Sequence, residues 1–359
     1  MKTTEIAIIG GGPAGLSAAI SGASSGAKVT LIDRNYSLGG QLKKQTHKFF
    51  GSQKQYASTR GFCIANILED ELKKYGDRVE ILTNATVLGL YEDKVITIEQ
   101  DKQYKKLKPE KIIVATGASE KFLAFPNNDL PGIYGAGAVQ TLMNEYGVKP
   151  GNNVLMVGAG NIGLIVSYQL IQSGVNVKAI IDAAPQIGGY LVHASKIRRM
   201  GIPILTSYTI KYAHGKDAVE KATIWKIDEN WEPIPNTEMD FDIDVICISV
   251  GLSPLADLLW QIGCKMEYIP ELGGHVPIRD DNLETNISGI FIAGDVGGIE
   301  EASSAMVEGR LAGLCAAKSL GYYYGDYEEQ RKDLIDQLIS LRSGPVGDKI
   351  RSGLRKVII

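Results

Sequence analysis

The sequence predicts an α/β fold of two Rossmann-like units, the second inserted into the first. Three observations predict it. Residues 5–10 are an apolar run ending in glycine, followed by a small-residue helix over 16–25 and a β-branched run over 29–33, which together make a βαβ unit. The same pattern returns at residues 153–157, 164–173 and 177–182. Late in the chain one more short buried strand, residues 289–293, precedes a second small-residue helix over 303–320.

The chain has 359 residues, enough for two domains at roughly 100–200 residues each. With 44% hydrophobic and 22% charged residues it can bury substantial cores without disulfide staples. A net charge of −3 gives no basic field for nucleic acid. Cys63, Cys247, Cys264 and Cys315 form no CxxC or CxxxxC pair, which argues against a disulfide framework or a cysteine-ligated iron–sulfur centre in this chain. Cys247, in an apolar run, reads as a buried small hydrophobe. The histidines are scattered and lack carboxylates at ligand spacing, so no metal site is expected. The first apolar run breaks into glycines too soon for a signal peptide. The most apolar stretch, 154–171, is interrupted by Gly158, Gly160, Asn161 and Gly163, as strand, turn and helix rather than a membrane span. The expected location is cytoplasmic.

The other elements follow in order. Residues 38–61 are polar, basic and aromatic, and read as a loop. Helical spacing of Ile64, Ile67, Leu68 and Leu72 predicts a helix over 62–75. Strands are expected at 79–83, 86–91, 95–99 and 111–115, and a helix at 136–146. Pro150-Gly151 marks a boundary before the second βαβ unit. Residues 222–228 and 244–250 read as strands appended to that unit. From Gly321 the tail changes character: Tyr322, Tyr323 and Tyr324 precede a helix over 331–341, with Leu334, Ile335, Leu338 and Ile339 on one face. The last residues are basic, at Lys349, Arg351, Arg355 and Lys356. The tail either packs on the body or makes a contact with a neighbouring chain.

Gly10, Gly12, Pro13, Ala14 and Gly15 belong to a GxGxxG motif placed after a strand and opening a helix. Gly10 permits the tight turn, Gly12 the approach of a pyrophosphate, and Gly15 close helix–strand packing, while the helix N-terminus attracts phosphate charge. Asp33 ends the second strand, where a carboxylate accepts ribose hydroxyls. Gly158, Gly160, Asn161, Ile162 and Gly163 repeat the motif, with Asp182 as the acid. Asp182 favours a free 2′-hydroxyl, hence NADH over NADPH; Ala183 and Ala184 offer no arginine for a 2′-phosphate, although Lys196, Arg198 and Arg199 follow.

Two further segments, Ala115-Thr116-Gly117 and Gly294-Asp295, each end a buried strand. With them the chain resembles the flavoprotein reductases with two dinucleotide-binding domains, the superfamily of thioredoxin reductase and glutathione reductase. Four segments match in order, GGGPAG, ATG, GAGNIG and GIFIAGDV, and CISVGLSP resembles the segment that returns the chain from the NAD-type domain. The resemblance covers residues 1–325. It implies a discontinuous FAD-type domain of residues 1–120 and 252–325, an inserted NAD-type domain of residues 121–251, and a helical tail of residues 326–359. It also implies FAD in the first domain and NAD(H) in the second. Asp295 would hold the ribityl and pyrophosphate region, Thr116 and Gly117 would line the diphosphate, and Gly40, Gln41 and Leu42 would lie beside the flavin. Val87 is a candidate backbone contact to adenine, and Arg34, Thr46, Ala115 and Gly251 complete the candidate cofactor contacts.

The departure from that superfamily is chemical. Its disulfide reductases carry a redox dithiol after the first GG loop or in the NAD-type domain, and here neither GGQLKKQTHKFFG nor GAGNIGLIV contains a cysteine. A dithiol relay is not expected. The stretches 188–202 and 294–313, with the arginine-bearing tail, resemble α-type subunits of heteromeric amine-oxidising flavoenzymes: opine oxidases, hydrogen cyanide synthase, sarcosine oxidase, and proline or hydroxyproline dehydrogenases. That resemblance implies a second flavoprotein, an iron–sulfur protein, or both as partners, and an amino acid or amine as the substrate of the complex. The alternatives are a stand-alone NADH-dependent reductase of a small acceptor, quinone or ferredoxin, and a nucleotide-binding scaffold subunit. His47 is the one candidate catalytic side chain, a proton relay near the flavin whose alternative is a hydrogen-bonded loop histidine. Lys43, Lys44, Lys48, Lys54 and Arg60 crowd the same loop, where one or two would neutralise a phosphate or a substrate carboxylate and the rest are solvated. His193 reads as structural.

Overall fold

The computed structural model describes residues 1–322 and 326–359; Tyr323 and Tyr324 of the tyrosine run lie outside the described residues. The chain divides into two compact units, Met1–Ser119 with Ser253–Ile359, and Glu120–Leu252.

The first unit begins with β1 (Lys2–Ile9), α1 (Pro13–Ser24), β2 (Val29–Ile32), α2 (Gly61–Lys73), β3 (Val79–Leu82), β4 (Ala85–Leu90), β5 (Ile96–Gln100) and β6 (Gln103–Val114). Strands β3, β2, β1 and β6 lie side by side in parallel, with Ile6 opposite Val29 and Lys111, and Ile8 opposite Leu31 and Ile113. Every residue of β2 is buried, as expected of a parallel strand covered on both faces. β6 is longer than the apolar run 111–115 suggested. Its lysine-rich first half pairs antiparallel with β5, which itself pairs with β4. The β5–β6 turn is Asp101-Lys102, both at positive φ, a two-residue hairpin without the Asn-Gly signal that would have announced it. Residues 38–60 form a loop with two short 3₁₀ turns, Gly40–Lys44 and Gln53–Gln55, and an isolated antiparallel bridge between Lys48 and Arg60.

The second unit is entered through β7 (Ala118–Glu120) and holds β8 (Ile133–Gly135), α3 (Ala136–Asn144), β9 (Asn153–Val157), α4 (Asn161–Gln172), β10 (Asn176–Asp182), α5 (Leu191–Arg199), β11 (Ile204–Thr206), β12 (Tyr208–His214), β13 (Lys221–Lys226), β14 (Met239–Asp242) and β15 (Val245–Ile248). Its parallel sheet runs β11-β10-β9-β15-β8. Alternate residues of β9 feed two cores: Val154 and Met156 pack with Leu164 and Ile197, while Leu155 and Val157 pack with Ile210 and Ile224 of the antiparallel β12–β13–β14 sheet. α5 and β12 escape the sequence reading because polar and basic residues interrupt their apolar periodicity.

The chain returns through β16 (Leu252–Pro254) into α6 (Asp257–Gln261), β17 (Met266–Ile269), β18 (Gly274–Pro277), β19 (Ile290–Ile292), α7 (Ala302–Ser319), α8 (Tyr327–Leu341) and α9 (Gly344–Leu354). β19 joins the first sheet beside β6, with Phe291 opposite Ile113. α7 lies against α1 so closely that a Cβ at Gly309 would stand 2.1 Å from the Ala14 carbonyl oxygen, and one at Gly313 2.3 Å from that of Ala18. α8 buries Leu334 and Leu338 against the first core, with Ile335 half-buried and Ile339 exposed. α9, a helix not expected from the sequence, is opened by Gly344-Pro345, with proline at the start of the helix. Its Leu354, with Val357, packs on Ile269, Leu272, Val276 and Ile278. Among the described residues no helix is long and apolar enough to cross a membrane.

Candidate functional site: two glycine-loop cradles

In the first unit the chain leaves β1 at Gly10 with φ +108°. A Cβ there would lie 2.2 Å from the Ala115 carbonyl oxygen, and a Cβ at Gly15 would lie 1.7 Å from the Gly10 oxygen, so both positions exclude any side chain. Gly12 is different. It caps α1 at φ −75° with no side-chain partner, and no protein atom lies within 4 Å of the place its Cβ would occupy. An uncapped helix N-terminus therefore opens on free space, with its amide dipoles unopposed by any acidic residue of the first turn. Asp33 fixes the loop: its Oδ2 accepts from the Gly11 amide at 2.6 Å and its Oδ1 from the Asn35 amide at 2.7 Å. The GG loop docks beside it, the Gly39 amide donating to the Gly11 carbonyl at 2.8 Å and Gly40 pressing on Gly12.

The second unit repeats this plan. Gly158 has φ +112°, and its Cβ would lie 2.1 Å from the Ser249 carbonyl oxygen, the counterpart of Ala115. A Cβ at Gly163 would lie 2.0 Å from the Gly158 oxygen, while Gly160 faces open space. Asp182 accepts from the Ala159 amide at 2.6 Å and the Ala184 amide at 2.8 Å. Gly188-Gly189 follows its acid by six residues, as Gly39-Gly40 does, but docks one residue later: the Gly189 amide, not that of Gly188, donates to the Ala159 carbonyl at 2.9 Å. This second GG loop escaped the sequence reading, although its spacing was legible. Asn161 accepts from the Tyr190 amide at 2.8 Å, Ile162 is exposed, and Gly251 matches Gly117 in positive φ. Lys196 rests over the Tyr168 ring, while Arg198 and Arg199 are exposed.

Gly294 and Asp295 follow β19. A Cβ at Gly294 would come within 3.0 Å of the Ala14 Cβ, which places this turn at the start of α1. Burial, with Glu308, Glu300 and Glu301 nearby, pushes the Asp295 carboxyl up to about 7 despite a hydrogen bond from the Glu300 amide. A buried network that sequence reading missed lies behind the turn: Glu308 accepts from the Gly294 amide at 2.9 Å and is flanked by Arg279 and Arg342. The legible signal was a glutamate among the small and apolar residues of the first half of α7.

Gly10, Gly12, Gly15, Asp33, Gly40, Ala115 and Gly294 thus form one cluster around the α1 N-terminus, with Pro13 and Ala14 in its first turn. The Thr116 hydroxyl donates to the Leu255 carbonyl at 2.7 Å, and Gly117 accepts from the Leu255 amide, so this pair anchors the returning chain. The Leu42 side chain is in the core and Gln41 is exposed. The links just described do not include Arg34, Thr46, His47 or Val87. Arg34 is exposed, the Thr46 carbonyl accepts from Arg60, the His47 ring stacks on Phe49 at 6.0 Å, and Val87 sits at a bulge in β4. Of the loop's cations, Lys43 pairs with Ser37 within the loop, whereas Lys54 reaches Asp333 of α8, far away in the chain. His193 is buried, and burial lowers its pKa. All four cysteines are unpaired thiols, with Cys247 fully buried. Among the described residues no group of three potential ligands could hold a metal ion.

Two glycine-loop cradles, each at the carboxyl end of a parallel sheet and each with its acid, define a two-unit nucleotide-binding oxidoreductase of the flavoprotein class. The chain belongs to the pyridine nucleotide-disulphide oxidoreductase family, whose model matches residues 4–309. It is 25% identical over 337 residues to an opine oxidase subunit of Agrobacterium tumefaciens, a match spanning 88% of this chain and 66% of that protein. It is likewise 25% identical to the HcnB subunit of hydrogen cyanide synthase from Pseudomonas protegens, over 90% of this chain and 72% of that one. The chain therefore spans about two thirds of the length of these relatives. The T. acidophilum thioredoxin reductase superposes with a TM-score of 0.73 at 22% identity, covering 89% of this chain and 99% of that chain. For L-proline dehydrogenase from P. horikoshii the TM-score is 0.68 at 23% identity, covering 92% and 59%. The family implies FAD, and the first cradle fits it: the front of Gly12 is open while Gly10 and Gly15 are packed shut.

Proposed function

We propose that this chain is an FAD-dependent oxidoreductase that passes two electrons between FAD and a nicotinamide or partner-borne redox centre, as one subunit of a heteromeric amino-acid or amine dehydrogenase. The observation that carries the reading is the repetition of the glycine loop and its acid in the second unit. Gly158, Gly160 and Gly163, Asp182 and Ser249–Gly251 repeat the glycine-loop contacts of the first cradle, and the Gly188-Gly189 pair docks on the same loop through its second glycine rather than its first. The names of the two relatives, each one component of a larger enzyme, support a partner that meets the amine substrate. Bound FAD supplies the two-electron exchange.

The residues of the chain bind and orient. The α1 N-terminus and Gly12 receive the pyrophosphate, Asp33 accepts the ribose hydroxyls, and Gly294-Asp295 closes the cradle beside Ala14. In the second unit Gly160 and the α4 N-terminus receive a second pyrophosphate. Asp182 selects a free 2′-hydroxyl, hence NAD(H), by repelling a phosphate there. None of the cysteines lies on a glycine loop, so this reading includes no dithiol relay.

An anaerobic titration of the purified chain with NADH, followed by visible absorbance, tests the reading. Stoichiometric bleaching of the flavin is expected if the second cradle delivers electrons. Turnover of NADH with an artificial acceptor by the chain alone would instead identify a stand-alone reductase. A flavin that stays oxidised, in a chain that co-purifies stoichiometrically with another flavoprotein, would identify a scaffold role and overturn the electron-passing one.

A further inference from the structure

The buried charge cluster behind the Gly294-Asp295 turn joins parts of the chain far apart in sequence. Arg342, at the end of α8, reaches Glu300 through Nε at 2.9 Å and Nη2 at 2.7 Å, and its Nη2 also meets Glu308 Oε1 at 2.5 Å. The other oxygen of Glu308 accepts the Gly294 amide at 2.9 Å. Arg279 donates to the Gly297 carbonyl at 2.7 Å and lies 3.4 Å from Glu308. The Arg279 and Glu308 side chains are each 4% exposed, and those of Arg342 and Glu300 13% and 9%. Two guanidinium groups thus neutralise two carboxylates, with Asp295 as a third acid at their edge, its Oδ1 accepting from the Glu300 amide at 3.3 Å. The segment carrying Arg342 is pinned at its far end too. The Arg279 amide donates to the Val357 carbonyl at 3.0 Å, the Ile359 amide to the Arg279 carbonyl at 3.1 Å, and Lys356 pairs with Glu271 at 2.6 Å. Arg342 lies beyond residue 309, where the match to the family model ends.

The geometry points to Arg342 as a positioning residue of the first cradle: through Glu308 it holds the Gly294 amide and the Gly294-Asp295 turn in the form that closes on the nucleotide. The C-terminal segment is then a working part of that cradle. An isolated buried carboxylate is costly and relieves itself by protonating or by drawing in water. Without Arg342, Glu300 loses its guanidinium partner and Glu308 keeps only Arg279, at 3.4 Å, so Glu308 is no longer held as a fixed acceptor for Gly294. A lysine at position 342 would supply the charge but not the fork that spans both glutamates.

The inference concerns the same cradle as the FAD reading and rests on it for its ligand, so the test uses two readouts. Hydrogen exchange of the flavin-free chain is measured for Arg342→Met, Arg342→Lys and the surface control Lys332→Met, and FAD affinity is titrated for each. Arg342→Met is expected to speed exchange of the Gly294–Gly298 segment at least tenfold, with the β1, β2 and β6 strands unchanged, and to weaken FAD binding at least tenfold. Arg342→Lys recovers part of both, and Lys332→Met changes neither. Wild-type exchange at Gly294–Gly298 in Arg342→Met would overturn the inference, as would faster exchange spread evenly over the whole unit. If the wild-type chain binds no FAD, the flavin reading fails, while the exchange data still decide the role of Arg342.

Discussion

Gly12 caps α1 and Gly15 lies three residues on in its first turn, and their substitution by alanine should have opposite consequences. At Gly12 the backbone is ordinary, with φ −75° and ψ −169°, and the new methyl would meet no protein atom within 4 Å. Folding should therefore be unharmed. The smaller entropy of the unfolded chain should stabilise the flavin-free protein by about 0.4–1 kcal/mol, a rise of roughly 4 °C or less in melting temperature. The methyl stands instead where the pyrophosphate must pass. An overpacking cost of about 1–3 kcal/mol, at roughly 1.4 kcal/mol per tenfold, predicts flavin binding weakened by about 5- to 150-fold. At Gly15 the methyl would lie 1.7 Å from the Gly10 oxygen, half the 3.4 Å at which ordinary contact begins, and the obstacle is backbone. Gly15→Ala should therefore cost about 3 kcal/mol or more, at the upper end of overpacking, and depress the melting temperature of the flavin-free chain. Thermal melts of apo-protein with flavin titration separate the two. A Gly12→Ala protein that binds flavin with wild-type affinity would refute the reasoning, because the nucleotide could not then run over Gly12.

Asp295 titrates near 7 in the folded protein against 3.8 unfolded, so between these values the folded chain retains a proton the unfolded chain has released. Its contribution to stability is full below about pH 4 and is lost as pH rises toward 7; melts of the flavin-free protein at pH 5 and pH 8 should differ less in Asp295→Asn than in the wild type. Gly309→Ala drives a methyl against the Ala14 carbonyl, so it should cost about 1–3 kcal/mol and weaken flavin retention by displacing α1; unchanged melting would show that the helices part freely. Burial raises the thiol pKa of Cys247, Cys264 and Cys315, the last to about 11, while Cys63 is half-buried, so native alkylation near neutral pH should label Cys63 and leave the others until denaturant is added. Asp182→Asn replaces an acceptor of two backbone amides by a side chain with one acceptor atom. It should destabilise the second unit by about 1–3 kcal/mol and narrow any preference for NADH over NADPH, measured as the ratio of their dissociation constants.

The βαβ units were legible because fully buried parallel strands and alanine-rich helices leave unbroken apolar runs, as at β2 and α1. The glycine loops were legible because a positive φ and a backbone 2 Å from a would-be Cβ leave no alternative residue at Gly10 or Gly158. What escaped was set by partners distant in the chain. Half of β6 hides behind lysines because its stability comes from pairing with β5, not from burial. α9 begins at Gly344-Pro345, and its helix exists because Leu354 and Val357 find Leu272 and Val276. The Arg279–Glu308–Arg342 cluster could not be assembled from sequence, since no local pattern says which guanidinium meets which carboxylate across 63 positions of numbering between Arg279 and Arg342.

The two acids at the strand ends carry a double burden that bears on how both cradles are read. Each is usually taken as a ribose acceptor, yet in both units the carboxylate already holds two backbone amides: Gly11 and Asn35 on Asp33, Ala159 and Ala184 on Asp182. A carboxylate offers about four lone-pair sites, so two backbone amides leave room for ribose hydroxyls. The backbone contacts fix the rotamer before any nucleotide arrives, and a preorganised acceptor loses less entropy on binding than one that must be ordered by its ligand. The same contacts would persist in a chain whose second cradle had lost its nucleotide, because they hold the glycine loop closed on its strand. The presence of Asp182 is therefore weaker support for a working second site than the open space before Gly160, which no packing requirement of the fold explains. That space, rather than the acid, is the feature a nucleotide titration of the second unit interrogates.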